Sequence, residues 1–214
     1  MNTVKTAPLF AAGNPVDQDE RHCQRCALSS TVVLSTPCPV GGLLAVGEAP
    51  GALEEQRGEG FVGDAGKKLD AFLLEQGVTR AQYGLANICS CRPDNNRKPK
   101  AGEIRACLPF LAELIVRCKP KVILAVGGGT ATQVFCGKGT LHQKLAQRPY
   151  WLAGDCKAQA MEELRAALDH VEFVVPMPHT SPLAMNRYAP DGTRWETIAR
   201  RQIAQAVALL GQEA

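Results

Sequence analysis

The chain has 214 residues, 45% hydrophobic and 21% charged, which suits one soluble domain with a full core. A net charge of +3 permits a nucleic-acid partner without requiring one. No run of about 18 apolar residues is present, so no membrane span is expected, and the apolar start, broken by Pro8, is too short for a signal peptide.

In chain order, residues 1–20 read as a flexible tail, and residues 21–214 as a single domain. Asp17 to Glu20 can start a short helix carrying His22, Cys23 and Cys26. Leu43–Val46 is an unbroken apolar run, the mark of a strand buried on both faces. It leads into a long loop, Gly47–Gly66, in which seven of twenty residues are Gly or Pro. This loop carries Glu48, Glu54, Glu55 and one aromatic, Phe61. Loops this long inside a compact domain are usually functional.

Ala65–Gln76 follows with helical spacing at Leu69, Phe72, Leu73 and Gln76, stopped by Gly77. Tyr83–Ile88 is a second strand. It runs into a turn-rich second loop to Lys100, bearing Arg92, Arg97, Lys98 and Lys100. Gly102–Cys118 is a helix with Ile104, Leu108, Leu111 and Ile115 inward, and Pro109 within it is expected to bend it or remove one hydrogen bond. Lys121–Val126 is a third strand, and Gly127-Gly-Gly-Thr130 a tight turn into a short helix ending near Val134. That glycine run lacks the Lys-Ser/Thr of a phosphate-binding loop.

Residues 137–169 are harder to read. Lys144–Leu152 is expected to be extended and Ala158–Leu168 helical. Val171–Met177 is a fourth strand, ending in a third loop from Pro178 to Arg187. Thr193–Leu210 closes the chain as a helix, with Ile198, Ile203, Val207 and Leu210 inward. Strands alternating with helices predict an α/β fold: three layers, α/β/α, around a central four-stranded parallel sheet. The three loops then converge at the carboxyl edge of the sheet, where such folds bind ligands.

Nine cysteines are many, and in a reducing cytoplasm they point to metal or cluster binding rather than disulfides. Cys23-Gln-Arg-Cys26 is a close pair; Cys91 and Cys107 flank the basic loop. Four such thiolates can enclose a [4Fe–4S] cluster. Zinc also takes four cysteines, usually as two close pairs. Cys89 can replace Cys91, but Cys91 precedes Arg92-Pro93 and is preferred. Cys38, Cys118, Cys136 and Cys156 read as buried thiols.

Three motifs, together with these cysteines, carry a resemblance. Gly47-Glu-Ala-Pro-Gly51, Glu54, Gly58 and Phe61-Val-Gly-Asp-Ala-Gly66 form the first. Asn87, then Cys91-Arg-Pro-x-Asn-Asn-Arg97 and Cys107, form the second. His179-x-Ser-Pro-Leu183 is the third. In this order and spacing the chain resembles the uracil-DNA glycosylase superfamily, most closely its family 4, whose members carry an iron–sulfur cluster. The resemblance implies a four-stranded parallel sheet, excision of uracil from DNA, and a [4Fe–4S] cluster on Cys23, Cys26, Cys91 and Cys107. Three features depart from the pattern. Thr180 replaces the usual proline, Ala49 stands where another branch has a water-activating Asp, and residues 137–169 are longer than expected.

The residues suit that chemistry. A base must leave the duplex to be reached. Phe61 can stack on it, with Ala49 as a further residue at the substrate, and the Asn87 amide can pair with O4 and N3–H of uracil. His179 can donate to O2 as the base leaves with negative charge, and Glu48 or Glu54 can hold water or stabilise the sugar cation. Leu183, or Met185 beside it, can wedge into the stack. Ser181, Arg187 and Arg97 are expected at the DNA backbone. No lysine nucleophile is apparent, so the abasic site is left uncut, by an enzyme expected to be monomeric and cytoplasmic. The alternatives are a relative that traps uracil-DNA or prefers another deaminated base, and an iron–sulfur DNA-binding protein without turnover.

Overall fold

The computed structural model describes residues 23–28 and 31–212, so the expected tail and the start of the first short helix lie outside the described residues. Among the described residues five strands form one sheet: β1 Leu43–Gly47, β2 Tyr83–Asn87, β3 Val122–Val126, β4 Trp151–Leu152 and β5 Phe173–Met177. Their order is β2-β1-β3-β5-β4. The first three and β5 pair in parallel, as expected; β4 is an added antiparallel edge. The sheet therefore has one strand more than the four read from sequence. Two residues are too short to show a period, and β4 exists only because Trp151 and Leu152 find Val174 and Phe173.

The helices are α1 Ala52–Arg57, α2 Asp64–Leu74, α3 Ala101–Cys118, α4 Thr130–Cys136, α5 Leu141–Gln147, α6 Ala153–Lys157, α7 Glu162–Arg165, α8 Pro182–Met185 and α9 Trp195–Leu210. Alternation along each strand divides the core in two. Leu44, Val46, Ile123, Ala125 and Val174 face α3 and the short helices through Leu108, Leu111, Ile115, Phe135 and Leu164. Leu43, Ala45, Leu124, Val126 and Val175 face α2 and α9 through Leu69, Phe72, Leu73, Ile203 and Leu209. Both faces are covered, which is why the strands read as continuous apolar runs.

Three local expectations are corrected. Lys144–Leu152 is not extended: α5 occupies Leu141–Gln147, started by a Thr140–Gln143 capping box in which each side chain takes the other's backbone N–H. Ala158–Leu168 is not one helix but the end of α6's turn, α7 and a 3-10 turn at Ala167–His170. In α9 the buried stripe runs through Gln202, Ala206 and Leu209, leaving Val207 and Leu210 half-buried at its margin. Helix α3 runs on through Pro109, which lies on its exposed side.

The Gln202 side chain is buried among these apolar groups and donates to the carbonyl of Pro176 at 2.9 Å. Pro176 is tolerated inside β5 because β4 reaches only Phe173 and Val174, so its missing N–H removes no bond to β4. No helix among the described residues is long and apolar enough to cross a membrane.

Candidate active site

The strand order reverses at β1: its chain goes outward to β2, while β3 lies on its other side. Such switch points open a crevice beyond the carboxyl ends of the strands. Here the crevice is a cavity of about 570 Å³, lined at the end of β1 by Gly47 and the following Glu48, at the end of β2 by Asn87, and at the end of β3 by Val126 and the following Gly127. Ala49, Glu54, Phe61, Arg97 and His179 also line it. Seven residues singled out from sequence, scattered from 48 to 179, thus meet in one place: Glu48, Ala49, Glu54, Phe61, Asn87, Arg97 and His179.

Gly47 makes the central contact possible. A Cβ there would lie 2.5 Å from Asn87 Oδ1 and 2.8 Å from Phe61 Cζ, so only glycine lets ring and amide close over the strand end. Phe61 itself has φ of 59°, rare for an aromatic residue. Its carbonyl packs onto Gly66 so closely that a Cβ on Gly66 would lie 1.8 Å away. The first loop is tied from inside by Glu54. One of its oxygens accepts from Gly63 N–H at 2.8 Å, the other from Gly51 N–H at 3.2 Å. From behind, the Arg80 guanidinium donates to the Gly60 carbonyl at 2.7 Å. Helix α1 inside this loop was not foreseen; Gly51 followed by Glu54 at its third helical position was the signal.

His179 is exposed toward the cavity, yet the protein around it lowers its pKa below the ordinary 6.5 through desolvation, opposed by the carboxylates of Glu48 and Glu54. Its Nδ1 accepts the Ser181 N–H at 3.1 Å. Neutral imidazole bonded in this way carries its proton on Nε2. Glu48 accepts the Thr130 N–H at 3.2 Å, which satisfies the first amide of α4 and agrees with the glycine run being a turn.

Thr180, the departure from the family pattern, is fully buried and donates from Oγ1 to the Ala65 carbonyl at 2.7 Å. It fastens the third loop to the start of α2, a link nothing in the sequence announced. Thr180→Val keeps the shape and removes the bond. It is expected to cost about 1 kcal/mol in a denaturant melt, and an unchanged melt would remove this link from the account.

Ser181 caps α8, accepting the Ala184 N–H. Leu183 is 68% exposed, whereas Met185 is 2% exposed and part of the core. Of the two wedge residues considered, Met185 is therefore excluded. Arg187 is exposed on the same loop. Arg97 lines the cavity but forms a two-pronged pair with Glu103, at 2.7 and 2.9 Å, which with the Lys100 N–H holds the Glu103 carboxyl down at about 2. Arg92 is likewise paired, with Glu55 at 3.0 Å. Lys98, one of the basic residues read on the second loop, also lines the cavity, as do Asp64 and Asn96 from the first two motifs and Thr130, to which the sequence assigned no role.

Cys23, Cys26, Cys89 and Cys107 are neighbours at the start of α3. Arg25 stacks on the Phe110 ring at 4.5 Å, which seats the Cys23–Cys26 turn on α3, one turn beyond Cys107. The Cys26 thiol is raised by burial, with Cys107 and Cys23 as further charged neighbours. Cys89 is raised chiefly by a hydrogen bond with Cys107, so it lies closer to that thiol than the sequence argument allowed; Cys91 is buried too. Among the described residues no group of three or more His, Cys, Asp or Glu side chains is placed to hold a metal ion. The donor type and the neighbourhood suit a thiolate-bound cluster; a closed set of ligands is not formed. Cys38 with Cys118, and Cys136 with Cys156 at 3.6 Å, are buried thiol pairs, in line with the structural reading of these four.

The family model described as the uracil DNA glycosylase superfamily matches residues 37–204. A type-4 uracil-DNA glycosylase of Thermotoga maritima is 34% identical over 176 residues, covering 80% of this chain and 83% of that protein. Those of Pyrobaculum aerophilum and Sulfurisphaera tokodaii are 46% and 37% identical over 86 and 121 residues, or 40% and 55% of this chain. The matches span 44% and 55% of those two relatives' lengths, so this chain covers about half of each.

Proposed function

Since the chain belongs to the uracil DNA glycosylase superfamily, we propose that it excises uracil from DNA and leaves an abasic site uncut. The observation that carries this reading is the meeting of Phe61, Asn87 and His179 around one cavity at the sheet's switch point.

The uracil nucleotide flips into the cavity, at a cost of a few kcal/mol. Phe61 stacks on the base beside the Ala49 backbone. The Asn87 amide accepts from N3–H and donates to O4; cytosine offers the opposite pattern, which gives discrimination. The C1′–N1 bond then breaks, its electron pair leaving on the base. His179 donates an Nε2–H hydrogen bond to O2, where negative charge gathers. Water adds to the cationic C1′, and Glu48 is the carboxylate for that side of the reaction, taking the water's proton or passing it to solvent. Glu54 acts through the first loop as a positioning residue, since both its oxygens hold loop amides. Leu183 fills the gap in the stack, and Ser181, Arg187 and Arg97 lie along the phosphates.

Cys23, Cys26, Cys91 and Cys107 would hold a [4Fe–4S] cluster, supported by the Arg25–Phe110 contact that seats the close pair near Cys107. When bound, it would fix the second loop and supply no step of the hydrolysis. Cytoplasmic action as a monomer completes the reading.

The test is release of free uracil from a uracil-containing oligonucleotide by anaerobically prepared protein. No release, with DNA still bound, would leave a binding protein without turnover. Cys107→Ala is expected to lose the visible absorbance of the cluster together with DNA affinity. Normal affinity without iron would reject the structural role of the cluster.

A further inference from the structure

We propose that Tyr188 is a second stacking contact for DNA, receiving the base next to the flipped nucleotide; this rests on the uracil-excision reading above. Among the described residues six large hydrophobic side chains are exposed: Val40, Leu74, Val116, Leu152, Leu183 and Tyr188. Isolated cases need no explanation. Val40 precedes β1, Leu74 and Val116 lie near the carboxyl ends of α2 and α3, and Leu152 is on the edge strand. Leu183 and Tyr188 differ. They lie five residues apart, Leu183 on the third loop that carries His179 and Tyr188 immediately after its last residue, Arg187.

Tyr188 is held rather than loose. It forms an antiparallel bridge with Arg194 across a tight turn. Ala189 N–H donates to the Thr193 carbonyl at 2.8 Å, and Trp195 N–H to the Arg187 carbonyl at 3.1 Å. The turn is closed by Gly192, at φ of 80°, and by Asp191, whose carboxylate accepts the Thr193 N–H at 2.9 Å. The backbone under the ring is thus fixed on both strands of the turn, while the residue stays 64% exposed. A tyrosine has few rotatable bonds, so ordering it against a partner costs little.

The neighbouring charges select the partner. Arg187 is exposed immediately before the ring, and Arg194 stands across the bridge, shared with Asn186 and Glu196. An exposed ring with an exposed arginine before it in the chain and a second arginine paired with it across the turn suits a base carried on phosphates. Leu183, too narrow to stack broadly, enters the gap; Tyr188 covers the neighbouring base. Neither depends on which base is present, since every base has a flat face.

The test compares Tyr188→Ala, Tyr188→Phe and Tyr188→Leu with the unaltered protein on a uracil oligonucleotide. A companion oligonucleotide carries 2-aminopurine beside an abasic-site analogue. Tyr188→Ala is expected to raise KM about 10-fold with kcat within about twofold, and Tyr188→Leu to behave like it. Tyr188→Phe should restore KM. The fluorescence of 2-aminopurine should be quenched by the unaltered protein and by Tyr188→Phe only. An unchanged KM and unchanged quenching in Tyr188→Ala overturn the proposal. So does a KM rise shared by Tyr188→Phe, which would assign the hydroxyl rather than the ring. A shift in oligomeric state on Tyr188→Ala would overturn it too, by making the patch a protein interface. If the unaltered protein releases no uracil but the quenching still depends on the ring, the contact stands and the excision reading fails.

Discussion

His179→Ala lowers single-turnover uracil release by about 100- to 1,000-fold, while affinity for uracil-containing DNA stays within a few-fold. The expectation follows from where the proton sits. Ser181 N–H occupies Nδ1, which leaves Nε2–H as the donor on a ring that lines the cavity. Its bond to O2 strengthens only as the base departs, so it acts on the transition state and contributes little to binding.

The pH profile supplies an independent check. Desolvation opposes the imidazolium and lowers the His179 pKa beneath 6.5, against the pull of the Glu48 and Glu54 carboxylates; the Ser181 N–H facing Nδ1 leaves that nitrogen no room for a second proton between them. Activity is therefore expected to be level above that range and to fall only as pH drops through the lowered value. Glu48→Gln removes a carboxylate that favours the charged ring, so the acid limb should move further down. A limb that moves up, or an alanine variant as fast as the unaltered protein, would remove His179 from the chemistry.

Gly47→Ala should lower kcat/KM about 100-fold while the protein still folds. The added methyl has nowhere to go: Asn87 Oδ1 lies 2.5 Å and Phe61 Cζ 2.8 Å from its position. Neither neighbour yields freely. Asn87 stands at the end of β2, in register with Gly47. Phe61 is pinned by Gly66 and by the loop that Glu54 closes. Either the amide turns from the base or the ring shifts off it, and both spoil the near-attack geometry. Stability should fall by about 1–3 kcal/mol, as for other overpacked sites. Gly154→Ala is the control, since a Cβ there meets nothing within 4 Å. It should leave release unchanged. If Gly47→Ala keeps full activity, the close packing of ring and amide is not what orders the base.

What the sequence determined by itself was the frame and its contents. Leu43–Val46, Tyr83–Ile88, Lys121–Val126 and Val171–Met177 read as strands because burial on both faces leaves short, largely apolar runs, unbroken in the first. Parallel pairing then brings the loops after them to one edge, so Phe61, Asn87 and His179 had to be neighbours. Tertiary structure decided how each side chain is engaged. Glu54 turns both oxygens onto loop amides, Arg97 grips Glu103, and Thr180 reaches Ala65 across 115 residues of chain. It also buried Met185, left Leu183 and Tyr188 outside, and recruited Trp151–Leu152 as a fifth strand. The physical reason is the range of the forces. Periodicity records which face of one segment is buried, whereas a hydrogen bond between two segments depends on where packing places both, and no local pattern carries that.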